Sequence, residues 1–289
     1  MLGTALTLEE IVRGTPDLPT IPAAALQVMR ETASPDANAR SVANYIAQDQ
    51  ALTARVLRLS NSAYYGFQRQ ITSINESVVV LGMRAVHNLA VVAATYPWMS
   101  RQLRGYGLGP KAMWTHSFAV AAGAELVART TKRAPEPTAF SAGLLHNIGK
   151  VALSVWLESK IDGLVSLALR TNMTFDEVER KVLGYDHTEV GAYLGEQWNL
   201  PPDLVLAIRH HHNPNAADPP SPVTDCVHIG DFMTMSMGFG LGADGLRYDF
   251  CEDTLTRLGL QAENIDGLLG EFIETYERYE QLIEAFDVA

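Results

Sequence analysis

The histidines of this 289-residue chain are unevenly placed. Seven of the eight follow residue 110: His116, His146, His187, His210, His211, His212 and His228. One imidazole is seldom a site, but several on neighbouring helices can share one. Metal ions that activate water for phosphoester hydrolysis take imidazole and carboxylate ligands, usually with a carboxylate bridging two ions. The strongest local signal is His146-Asn147-Ile-Gly-Lys150, set inside the apolar run from Phe140 to Leu153. A polar pair in such surroundings needs hydrogen-bond partners or a metal. Lys150 lies one helical turn beyond His146 and shares its face. It reads either as a salt-bridged lysine or as a cation that stabilises charge developing on phosphorus. Asp231, in Val227-His-Ile-Gly-Asp231, is a carboxylate in an apolar helical setting. His187 stands at a helix start, where both a structural and a ligand role are open. His210, His211 and His212 close another helix, where imidazolium is also favoured by the helix dipole. Consecutive helical residues diverge, so at most two of these three can face one pocket.

Helices must position these residues, because no alternating apolar–polar run of convincing length occurs. In the first half the spacing predicts helices near 23–32, 39–48, 51–60, 74–81 and 83–98. In the second it predicts them near 111–131, 137–157, 159–171, 175–182, 187–197, 201–211, 222–236 and 263–286. Thr174-Phe-Asp-Glu177 carries a capping-box pattern. The expected fold is an all-α multi-helix bundle. Gly105, Gly107, Gly109 and Pro110 disfavour a continuous helix. The expected division is therefore an N-terminal subdomain over 1–104 and a second over 105–289, the latter ending in an amphipathic helix. In that helix Leu269, Phe272, Tyr276, Tyr279, Ile283 and Phe286 form a heptad-like stripe. It would pack on the chain's own core or join two copies in a homodimer.

Two motifs are weaker than they look. The helices flanking Gly82 have a helix-turn-helix outline. The second carries only Arg84 near its start, with His87 further along, and lacks the exposed basic side chains a recognition helix needs. Gly240-Leu-Gly-Ala-Asp-Gly245 matches the spacing of a dinucleotide loop but follows no strand, so it reads as an ordinary loop.

Composition narrows the class. The formal charge is −11. The first 100 residues carry seven basic and seven acidic side chains, so the whole excess lies beyond them. Such an acidic balance opposes binding to nucleic acid or to an anionic membrane surface. The two cysteines, Cys226 and Cys251, make no CxxC pair; a reducing, cytoplasmic setting is expected. No apolar run approaches the length of a membrane span.

The order His116 … His146-Asn147 … Asp231 resembles the H…HD…D signature of the HD metal-dependent phosphohydrolase superfamily. His187-Thr-Glu-Val-Gly191 through His210-His-His212 looks similar to the HD and HD-GYP output pattern. The first half carries Leu18-Pro-Thr-Ile-Pro22, Ile46-Ala-Gln-Asp49, Leu52 to Tyr65 and Ile74 to Gly82. With these, residues of about 10–260 resemble the HDOD family, bacterial signalling modules that have generally lost the HD ligand set. The resemblance implies a non-catalytic regulatory role through protein contacts. Signalling proteins, such as a receiver domain or kinase in the same pathway, are the implied partners. Asn147 stands where the HD pair has aspartate, offering a neutral carbonyl oxygen in place of an anionic bridge. His116, His146 and Asp231, with Asn147 and with His210 or His211, could still hold one divalent ion: iron, manganese, zinc or magnesium. The alternative the resemblance leaves is a metal-dependent phosphohydrolase acting on nucleotides or cyclic dinucleotides, with Lys150 stabilising charge.

Overall fold

The computed structural model describes residues 6–34, 36–239, 242 and 249–287. Every regular element among them is helical, apart from an isolated antiparallel bridge between Leu103 and Leu108. The first six helices are α1 (Leu8–Arg13), α2 (Ala23–Ala33), α3 (Ala39–Ala47), α4 (Gln50–Ser60), α5 (Ile74–Leu81) and α6 (Met83–Met99). Their starts follow from capping side chains that satisfy otherwise orphaned backbone N–H groups. Asn38 accepts from Arg40, Asp49 from Leu52 and Ser73 from Glu76. At the α5–α6 corner Gly82 adopts φ 86°, a conformation that favours glycine.

Ten more helices follow: α7 (Ala112–Thr131), α8 (Glu136–Leu145), α9 (Ile148–Leu157), α10 (Ile161–Thr171), α11 (Phe175–Leu183), α12 (His187–Gln197), α13 (Pro202–His210), α14 (Pro222–Ser236), α15 (Asp253–Leu258) and α16 (Ala262–Asp287). The expected capping box at Thr174 and Glu177 is present. Two short helices, α1 and α15, were not among those expected from spacing. The helix expected over 137–157 is interrupted at His146 and Asn147. His146 Nδ1 donates to the Gly143 carbonyl at 2.6 Å, taking an acceptor that the end of α8 leaves unpaired. Asn147 then leaves helical geometry, with φ −100° and ψ 15°. The Gly240–Gly245 stretch lies, apart from Gly242, outside the described residues.

The core is centred on α7, which is buried on nearly every face because α8 and α14 pack against it. Glycines allow these close crossings. A Cβ on Gly230 of α14 would lie 2.7 Å from the Ala124 backbone nitrogen of α7. On Gly149 of α9 it would meet the His187 carbonyl oxygen at 1.9 Å, which brings α9 directly onto α12. One continuous buried apolar cluster runs from the N-terminal helices through α14, across the 104/105 division. His87 of α6 is buried within it. Its Nδ1 meets Thr32 Oγ1 at 2.8 Å and its Nε2 meets Ser141 Oγ at 2.8 Å, tying α2 and α6 to α8. Along α16, Leu268, Phe272 and Tyr276 are buried in the chain's own core. Tyr279 stacks on Tyr64 and packs edge-on against Phe118. The side chains of Ile283 and Phe286 lie outside the described residues. Among those described, no helix is long and apolar enough to cross a membrane.

Candidate metal centre

The interruption between α8 and α9 gives the site its shape. α7 supplies His116, the α8–α9 junction His146 and Asn147, and α14 Asp231; all four side chains are buried. Ligand atoms of His116, His146 and Asp231 lie within 4.8 Å of one another. A second set, His187 from the start of α12 with His211 and His212 from the end of α13, meets the same criterion. The His146 and His211 rings join the two sets, with centroids 4.8 Å apart. His210 stands apart from both and lines the mouth of the cleft. Its neighbours His211 and His212 point inward instead, as the divergence of consecutive side chains requires. Lys150 is buried beside the site, its ammonium 5.7 Å from the centre of the Tyr106 ring.

Backbone carbonyls set the tautomers. His146 Nδ1, His211 Nδ1 and His116 Nδ1 donate to the carbonyls of Gly143, Ile208 and Phe239, at 2.6, 2.9 and 3.2 Å. Each ring is thereby oriented with Nε2 as its remaining donor atom, the arrangement usual for histidines that bind metal. Burial pushes the His146 imidazole down to about 3, and places His211 and His212 well below the ordinary histidine value. All three are neutral at pH 7, as ligation requires. Burial alone would raise the Asp231 carboxyl. The neighbouring His116 imidazole more than offsets it, and the Asp231 carboxyl is held well below the usual carboxylate range.

His187 is held differently. Glu179 of α11, fully buried, accepts from both the His187 backbone N–H at 2.9 Å and its Nδ1 at 2.7 Å. The second Glu179 oxygen accepts from Tyr106 Oη at 2.5 Å. Burial would lower the His187 pKa, but the Glu179 carboxylate outweighs it and raises the ring above its ordinary value. His187 Nε2 lies 3.1 Å from His212 Nε2, so one of the two rings donates to the other. Glu179, Tyr106 and the inward turn of His212 had not emerged from the sequence. The only available sign was a carboxylate eight residues before His187, which reads as one more acid on an amphipathic helix.

Whether these residues fit a metal can be tested on their unmet bonds. Asp231 Oδ1, Asn147 Oδ1 and His211 Nε2 are buried with no hydrogen-bond partner. Such groups are costly to leave unsatisfied. Asp231 Oδ1 also faces His116 Nε2 at 3.3 Å without a hydrogen bond between them. A divalent ion fits this donor set. Asn147 works against it: its amide Nδ2 donates to His146 Nε2 at 2.7 Å, engaging the lone pair that a metal would use. The cleft above has a volume of about 570 Å³. Its acids include Asp176, Glu177, Asp186, Glu189 and Asp249. Of its cations, Arg180 is paired with Asp186 and Glu189, and Arg209 with Glu196.

Comparison with known proteins places this arrangement. The HDOD domain matches residues 18–214. An uncharacterized protein of Treponema pallidum is 28% identical over 213 residues, which are 73% of this chain and 41% of that protein. The chain thus spans about two-fifths of that relative's length. The crystal structure of an HDOD domain protein of unknown function from Geobacter sulfurreducens superposes with a TM-score of 0.71 at 26% identity, covering 99% of this chain and 96% of the other. A candidate phosphohydrolase from Shewanella amazonensis superposes with a TM-score of 0.67 at 25% identity, covering 94% and 97%. A candidate signal transduction protein from Marinobacter aquaeolei shares the fold, with a TM-score of 0.74 at 23% identity over 93% and 59% of the two chains.

Proposed function

The chain belongs to the HDOD domain family, and from that membership we propose that it is a non-catalytic module of signal transduction. It acts through contacts with other proteins, as the output part of a response-regulator-like system. A receiver domain or kinase of the same pathway is the kind of partner this reading requires. Its histidine cleft holds at most one divalent ion, as a structural or sensing element.

One observation carries the reading. At the α8–α9 junction, where a carboxylate would bridge two ions, Asn147 presents a neutral amide, and that amide already donates to His146 Nε2. An amide supplies one weak oxygen ligand and no charge, so the repulsion between two dications is left without its central anion. The acidic cleft adds to this by opposing a polyanionic substrate. The site retains the means to hold one ion. His116, His146 and Asp231 would bind it, with His211 adjacent, and a bound divalent ion supplies Lewis acidity that lowers the pKa of coordinated water. Lys150 lines the approach, Glu179 orients His187, and Tyr106 donates to Glu179.

The two unoccupied lone pairs at Asp231 and His211 favour a second reading, a phosphohydrolase working with a reduced ligand set. Hydrolysis of nucleotides by the metal-loaded protein separates the two, and metal stoichiometry tests the one-ion site. Protein purified without chelator and titrated with manganese or zinc should take up no more than one equivalent. The variant Asn147→Asp should bind the first ion about tenfold or more tightly, because a charged ligand replaces a neutral one. Two tightly bound ions in the wild-type protein would overturn the regulatory reading.

A further inference from the structure

A second cleft, of about 290 Å³, shares no lining residue with the histidine cleft. It forms where the segment Thr15–Pro19 crosses the end of α6 and the outer face of α9. Its apolar wall comes from Pro16, Leu18 and Pro19 on one side and Val151 and Val155 on the other. Val155 is 51% exposed, an unusual state for a large aliphatic side chain on an otherwise well-packed helix. At the end of α6, Trp98 and Arg101 line the cleft. Trp98 is only 5% exposed, and its indole N–H is buried without a hydrogen bond. Arg101, also lining the cleft, has no carboxylate within ion-pair distance among the described residues.

Charge limits what could bind here. Arg104 is paired with Glu158 at 3.2 Å, so these two lining residues neutralise each other. Asp17 also lines the cleft, and it balances Arg101 in the formal count without touching it. A polyanion such as a nucleotide would meet no net positive field here. A single carboxylate can sit on the forked guanidinium of Arg101, for which carboxylates have matching geometry. The volume lies at the low end of ligand pockets and suits a body of about ten non-hydrogen atoms.

We propose that this cleft is a binding site for a small organic monoanion, a carboxylate on an apolar body. Arg101 takes the carboxylate, and the proline–valine walls cover its hydrocarbon part. The site is distinct from the histidine cleft and does not depend on the reading given to it. The two are joined through the backbone. Gly105 donates to Ser154 Oγ on the cleft side of α9, and its neighbour Tyr106 donates to Glu179.

The test uses the full chain and 3-(4-fluorophenyl)propanoate as probe, followed by ¹⁹F NMR. Saturable broadening or shift of the fluorine signal is expected, with little from the uncharged amide of the same acid. Arg101→Ala should weaken binding about tenfold, the usual loss for one charge-assisted hydrogen bond. Arg101 is exposed and makes no ion pair, so this variant should keep the wild-type melting temperature. Val155→Asp, which places a negative charge on the apolar wall, should abolish binding. Arg170→Ala, on a distant exposed face, should change nothing. The proposal is overturned if the probe does not saturate, if the amide binds as well as the acid, or if Arg101→Ala binds with wild-type affinity.

Discussion

At the scale of single residues, the account rests on protons and lone pairs held in fixed positions. His87 makes the clearest case outside the site. It is fully buried, its partners Thr32, Ser141 and the Pro137 carbonyl carry no charge, and burial pushes its pKa down to about 4. The unfolded chain therefore binds a proton that the folded chain refuses. His87 contributes its full stability above pH 6.5, and that contribution is lost as pH falls through 4. The difference amounts to about 3 kcal/mol across this window. Urea denaturation at pH 7 and pH 4.5 should show a smaller drop for His87→Gln than for the wild type. An equal drop would mean that other buried histidines carry the whole effect. The sequence showed His116, His146, Asn147 and Asp231 as residues whose types suit one another. It could not show that the Asn147 amide engages the His146 lone pair, because that depends on a rotamer fixed by tertiary packing.

At the scale of elements, the legible parts were those with local causes. The capping side chains at Thr174 and Glu177, the corner at Gly82 and the proline-led starts of α13 and α14 all announce themselves within a few residues. The break between α8 and α9 does not. The run from Phe140 to Leu153 is apolar on both sides of it and holds no proline, so a periodicity argument passes straight through. The break lies at His146, which turns back onto the Gly143 carbonyl, and at Asn147, which leaves helical geometry, while Gly149 just beyond it fits α9 against the start of α12. This gives a sharp expectation. Gly149→Ala would drive a methyl group into the His187 carbonyl, forcing α9 and α12 apart at a cost of about 1–3 kcal/mol. Thermal denaturation should show that loss, and the ring signals of His187 should shift with it. A melting temperature equal to the wild type would show that the crossing is looser than described. α16 was legible as an amphipathic stripe, yet its buried face begins at Leu268 instead of Leu269. The helix wraps both α7 and the turn at Tyr64, so its seam curves away from a straight heptad.

At the scale of the whole molecule, the uneven charge acquires a location. The acids beyond residue 100 include those that line the histidine cleft, while two of its arginines are bound to neighbouring carboxylates. A phosphorylated substrate would have to enter against that field, toward a site where Asn147 presents a neutral amide. On this ground the regulatory role proposed above requires a hydrolase-like pocket without turnover. The most direct measurement is hydrolysis of nucleotides and cyclic dinucleotides by metal-loaded protein, run beside His146→Ala. The expected result is a wild-type rate no greater than that of His146→Ala for every substrate. Turnover by the wild type that disappears in His146→Ala would contradict the account.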